Sequence, residues 1–201
     1  MRRRTFDALA SVAGLVLAVI LLVAGGLLMW GNSFANSQVH SQLAAQKIVF
    51  PAKGSPELKA LPPSDAAAMS QYAGQLMTTG AQAETYADHF IAVHLVKIGG
   101  GQTYSQLSAK ALAAPTNAAL AAQVDTVFRG TTLRSMLLTA YGFWKMGEIA
   151  LWGAIASFIG AGLMLILAAF GFAHTRRVAP EAEVMHKLTA GTTASSQAAT
   201  V

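Results

Sequence analysis

The stretch Ile149–Ala173, IALWGAIASFIGAGLMLILAAFGFA, contains no charged residue. At about 1.5 Å per residue, a helix of this length crosses a hydrocarbon core of roughly 30 Å. Leu9–Trp30, near the start of the chain, is also uncharged and long enough. Two such spans leave one segment between them, which must lie on a single side of a membrane. Composition agrees. Hydrophobic residues make up 54% of the chain and charged residues 11%, about half the charged share of an ordinary soluble domain.

The placement of charge sets the expected orientation. Arg2, Arg3 and Arg4 precede the first span, and His174, Arg176 and Arg177 follow the second. Basic residues close to span ends stay on the cytoplasmic side, so both termini are expected inside. The segment between the spans carries eight Lys/Arg against six Asp/Glu, a balance that does not suit a nucleic-acid partner. With no cysteine in the chain, disulfides and thiolate metal sites are excluded. The expected fold is an all-α membrane protein with two transmembrane helices flanking a helical extracytoplasmic bundle. Its parts are a cytoplasmic head at 1–8, spans at 9–30 and 149–173, the helical domain at 31–148, and a cytoplasmic tail at 174–201. The tail is polar and ends in TAGTTASSQAATV, a composition that cannot build a core. The basic head before an apolar run also resembles a signal peptide, with a possible cleavage site at Ser33-Phe34-Ala35. The run exceeds the usual signal length of about 7–15 residues, which points to an uncleaved anchor.

Small residues recur every four positions in both spans: Ala10, Gly14 and Ala18 in the first, Gly153, Ser157 and Ala161 in the second. This spacing predicts close helix packing in lipid. Trp30, Tyr141, Trp144 and Trp152 fall near the outer ends, at headgroup level.

No proline occurs before Pro51, so the first helix is expected to run on through Asn32–Gln46, with Val39, Leu43 and Ile48 as a sparse apolar stripe. Lys47–Pro63 holds four prolines and predicts a long loop. A helix is expected to start at Ser64-Asp65 and to carry Met69, Tyr72, Leu76 and Met77 at helical spacing. Ala81–Ile98 predicts a buried helix ended by Gly99–Gly101. Thr103–Ala113 predicts a short helix stopped by Pro115. Proline is then absent until Pro180, so a long rod can lead into the second span, with Gly130 as its expected break.

Glu84, Asp88, His89 and His94 form the densest polar group. His and carboxylate are the ligands of zinc and non-haem iron. On an ideal helix, however, His89 and His94 lie about 140° apart, and the four-residue spacing of HExxH is absent. Gly99–Gly101 lacks the spacing of a phosphate loop. Ser105, Ser108 and Ser135 lack a nucleophile context. Lys47, Lys53 and Lys59 read as a solvated loop. No catalytic residue, cofactor or metal is therefore expected from the motifs.

The blocks MRRRTFDALASVAGLVLAVILLVAGGLLMW, YADHFIAVHLVKIGGGQTYSQLSAKALA and TLRSMLLTAYGFWKMGEIALW resemble those of a family of uncharacterised two-span membrane proteins of actinobacteria. Some of its members carry the automatic label "aromatic ring-opening dioxygenase". That label implies iron held by histidines and a carboxylate, which the spacing of His89 and His94 does not supply. The resemblance covers most of the chain except the tail, and it implies a two-span membrane protein. The expected role is a non-enzymatic accessory or interaction subunit of the envelope, with a sensor or ligand-binding module as the alternative. The expected partners are the lipid bilayer and a membrane or envelope protein.

Overall fold

A computed structural model of the chain describes residues 3–177. The end of the head and most of the predicted tail, residues 1–2 and 178–201, lie outside them. The described residues are helical almost throughout: α1 (Arg3–Ala45), α2 (Pro56–Lys59), α3 (Pro63–Ser70), α4 (Gly80–Tyr86), a π-helical turn (Ala87–Ile91), α5 (Ala92–Ile98), α6 (Tyr104–Ala113) and α7 (Ala118–Arg177). Both α1 and α7 contain a stretch long and apolar enough to cross a membrane. The chain forms two compact units, one comprising the chain up to Met29 together with the chain from Trp152, the other Trp30–Leu151.

In the first unit α1 and α7 lie antiparallel. Gly14 faces Ala168, Leu21 faces Gly160, Gly25 faces Phe158, and Leu28 faces Gly153. The contact line repeats every seven residues: Ser11, Ala18 and Gly25 are buried on α1, and Ala154, Ala161 and Ala168 on α7. Seven residues make two turns less about 20°, so a seven-residue line stays on its partner. A four-residue line drifts by about 40° per step and leaves it. For that reason Ala10, two steps from Ala18, is exposed. Ala18 and Ala161 are wholly buried, while Gly14, Gly153 and Ser157 are half-buried beside them. Large apolar side chains point outward instead: Val23, Leu27, Leu167 and Phe170 are each more than half exposed. A core of Ala and Gly with Leu, Val and Phe outside is the inverse of a water-soluble helix pair.

The second unit is built on the adjoining parts of α1 and α7. Its core joins Val39 and Leu43 of α1 and Leu137 of α7 to Phe50, Leu58, Leu61, Met69, Met77, Ala83, Ala87 and Ile91. Phe50 is 1% exposed and lies between the rings of Tyr72 and Tyr86, at 5.3 and 5.4 Å. The two rods are also tied by a hydrogen bond of 2.8 Å, from Asn32 Nδ2 to the Gly147 carbonyl.

Several local expectations change. α1 does continue to Ala45 and then stops at a turn in which Lys47 has φ 54°. The proline-rich stretch is a packed element rather than an open loop. Ser55 caps α2, Leu58 and Leu61 are buried, and Ile48–Phe50 pairs in extended form with Gly74–Met77. α3 starts at Pro63 with Pro62 at the N-cap, which has no polar side chain to cap it, and the Asp65 carboxylate of its first turn is engaged by His89. It ends at Ser70 rather than running on to Met77: Gly74 takes φ 72° and Leu76 bridges Val49. α4 opens on a capping box, with Gln82 Oε1 accepting from the backbone of Thr78 and Thr79 at 2.7 and 3.0 Å. Gly130 does not break α7. It gives room to Leu95, whose Cδ2 would lie 2.6 Å from a Cβ at that position.

Candidate functional site

The polar group singled out in the sequence divides into separate pairs. The π turn adds a residue to the helix, so the ideal angle between His89 and His94 does not apply. His89 Nδ1 lies 2.7 Å from Asp65 Oδ1 on α3. His94 Nδ1 is 2.7 Å from the Phe90 carbonyl, one turn back, and its ring packs on Phe90. Asp88 accepts a hydrogen bond of 2.6 Å from Arg134 on α7. Among the described residues no three His, Cys, Asp or Glu side chains converge, and His40 is exposed on α1. These residues do not fit an iron held by two histidines and a carboxylate. The His89–Asp65 hydrogen bond and the Arg134–Asp88 ion pair are both partly solvated, and at that exposure the ion pair is worth about 1 kcal/mol or less. Their effect is to pin the π turn to α3 and to α7.

Three groups elsewhere depart from their ordinary values, and the exposed Glu57 carboxyl is lowered by its hydrogen bond with Ser55. Burial pushes the Tyr86 phenol up. The Lys145 ammonium is held up by its hydrogen bond to Glu148 and by the charge of that carboxylate. It also lies 5.6 Å from the ring of Trp144.

A groove of about 800 Å³ runs between α1 and α7 in the second unit. One wall is Phe34, Gln38 and Gln42, and the other is Met136, Phe143 and Met146. Phe34, Met136, Phe143 and Met146 are all more than half exposed. No ionisable side chain lines it. Its polar groups are the amides of Gln38 and Gln42 on α1, that of Gln46 in the turn just after it, and the Thr139 hydroxyl. The volume falls in the range of small-molecule sites. A smaller cavity of about 430 Å³ lies beside the Gly101–Tyr104 segment and is lined by Leu95, Val127 and Arg134. Arg134 Nε and Gln102 Oε1 are shut off from solvent there without a protein partner. A bridging water is the ordinary solution for such groups.

The groove residues were not singled out by sequence reasoning. Two signals carry them: glutamine at 38, 42 and 46, and apolar residues at 136, 143 and 150, spaced by seven like the small residues of the spans. Neither reads as a site until the two walls are brought together from about a hundred residues apart.

Fold and groove together define an all-helical protein with two membrane-length helices and an uncharged cleft. No protein-family model, curated protein or solved structure matches the chain.

Proposed function

We propose that this chain is a non-enzymatic integral membrane protein of the cell envelope. In this reading it is an accessory or interaction subunit whose helical domain, on the extracytoplasmic side, engages other envelope components, a partner protein among them. The observation that carries it is the uncharged apolar groove, built on the continuation of two helices whose large apolar side chains face outward. Such an outer surface suits lipid as its solvent. The arginines at 2–4 and 176–177 favour both termini inside, and the resemblance to two-span actinobacterial proteins belongs to the same proposal. A second reading, a ligand-binding module that signals through a separate partner, draws on the size of the groove.

Orientation is tested first. The chain has no native cysteine, so Ser55→Cys and Ser195→Cys can be probed singly with an impermeant thiol reagent on intact cells. Labelling at Ser55 alone is expected; labelling at Ser195 alone overturns the topology. The full chain, purified in mild detergent at its native level, should then carry an envelope protein in fixed ratio. Recovery of the bare chain overturns the accessory role and leaves the ligand-binding one.

A further inference from the structure

We infer that the groove between α1 and α7 holds an acyl chain of a bilayer lipid. The inference rests on the membrane reading above and names the occupant of the same groove. Continuity carries it first. Gly31 and Ala150, at one end of the lining, directly adjoin the uncharged runs Leu9–Trp30 and Ile149–Ala173 in sequence. The charges nearest that end are not part of the groove. Lys145 and Glu148 are outside the lining and bond each other at 2.7 Å.

The lining chemistry points the same way. It offers methionine, phenylalanine and aliphatic carbon, and no charge to recognise an ionic partner. Methionine adapts to a flexible chain at little cost. Gln38, Gln42 and Gln46 place neutral amides along one wall, donors suited to the ester oxygens that join a chain to its headgroup. Length fits as well. The α1 wall from Gly31 to the helix end at Ala45 rises about 21 Å, room for a chain that fills about half of a core of roughly 30 Å. Val39, Leu43 and Leu137 belong both to the core around Phe50 and Met77 and to the lining, so the groove has a packed apolar floor beneath its exposed walls.

The test uses the full chain in vesicles of phosphatidylethanolamine and phosphatidylglycerol doped with a phospholipid bearing a diazirine at the end of one chain. After illumination, peptides from 31–46 and 133–150 should be labelled, and Tyr104–Ala113 should not. Met136→Glu with Phe143→Glu puts carboxylates into the groove and should lower that labelling about ten-fold or more, as a charge at an apolar site demands. Leu112→Glu, at an exposed apolar residue outside the groove, should leave it unchanged. If the double variant misfolds by circular dichroism, Met136→Glu and Met146→Glu are used singly; both side chains are well exposed. Equal labelling of the groove in wild type and variants overturns the inference. So does a Met136→Cys chain that cross-links to a second copy while the groove stays unlabelled. A chain that resists carbonate extraction but has an unlabelled groove loses this inference and keeps its anchoring. A chain released by carbonate loses both.

Discussion

Three glycines of α1 respond differently to the same added methyl, because each meets a different neighbour. At Gly26 a Cβ would meet nothing within 4 Å. Gly26→Ala therefore reports helix propensity alone, a gain of up to about 1 kcal/mol. At Gly14 the new Cβ would lie 3.7 Å from the Ala168 Cβ, an ordinary contact. The gain should match or slightly exceed that at Gly26, since each added atom pair contributes only about 0.1–0.2 kcal/mol of dispersion. At Gly25 the Cβ would lie 2.8–3.0 Å from three ring carbons of Phe158. The ring must swing away or the helices must part, an overpacking cost of about 1–3 kcal/mol. Gly25→Ala should thus be less stable than Gly26→Ala by that amount, although the two positions are adjacent. SDS-driven unfolding in mixed micelles, followed by tryptophan fluorescence, measures the difference. Equal midpoints for Gly25→Ala and Gly26→Ala would refute the close approach at Phe158, and with it the seven-residue contact line.

Other outcomes follow from the second unit. Gly80→Ala sets a methyl on the Trp144 side chain and should destabilise the unit by about 1–3 kcal/mol, read as faster proteolysis in membranes. Lys47→Gly removes the left-handed strain at φ 54°, about 1 kcal/mol, and should raise the midpoint of thermal unfolding where Lys47→Ala does not. The third concerns alkaline pH. Tyr86 has a raised folded pKa, so above the ordinary tyrosine value the unfolded chain loses this proton while the folded one keeps it, and stability falls as pH rises. The Lys145–Glu148 pair acts in the same direction: its contribution is full below the ordinary lysine value and is lost as pH rises through the raised one. Tyr86→Phe should flatten the alkaline decline of the midpoint, and an unchanged slope would remove Tyr86 from the account.

The two long helices were legible because charge and proline are absent over runs that nothing else in the chain matches. The breaks at Gly99–Gly101 and at Thr103 were legible for a local reason: Gly100 and Gly101 take positive φ, and Thr103 caps α6 through Gln106. What escaped depends on partners distant in sequence. The small residues of the spans were visible, but their phase was not, since Ala10 and Ala18 differ only in what α7 presents to them. Gly130 looked like a break because the Leu95 side chain that fills its space comes from α5. The π turn at Ala87–Ile91 has no composition of its own, and it regroups the histidines and carboxylates that had looked like one cluster. The groove needs two walls at once, so neither wall alone announces it.

A seam of alanine and glycine repeating every seven residues has a hidden degeneracy. Slide one helix by a repeat, and Ala18 still meets small side chains, with little change in energy. Close contacts remove that freedom, and two of them differ in kind. Phe158 finds room only where the opposite residue is Gly25, and the Asn32 amide finds its acceptor only at the Gly147 carbonyl. They act as notches on an otherwise smooth rail, one steric and one polar. Register within the small-residue seam is therefore specified by a few close contacts, and a seam lacking them would keep its helices while losing a unique alignment.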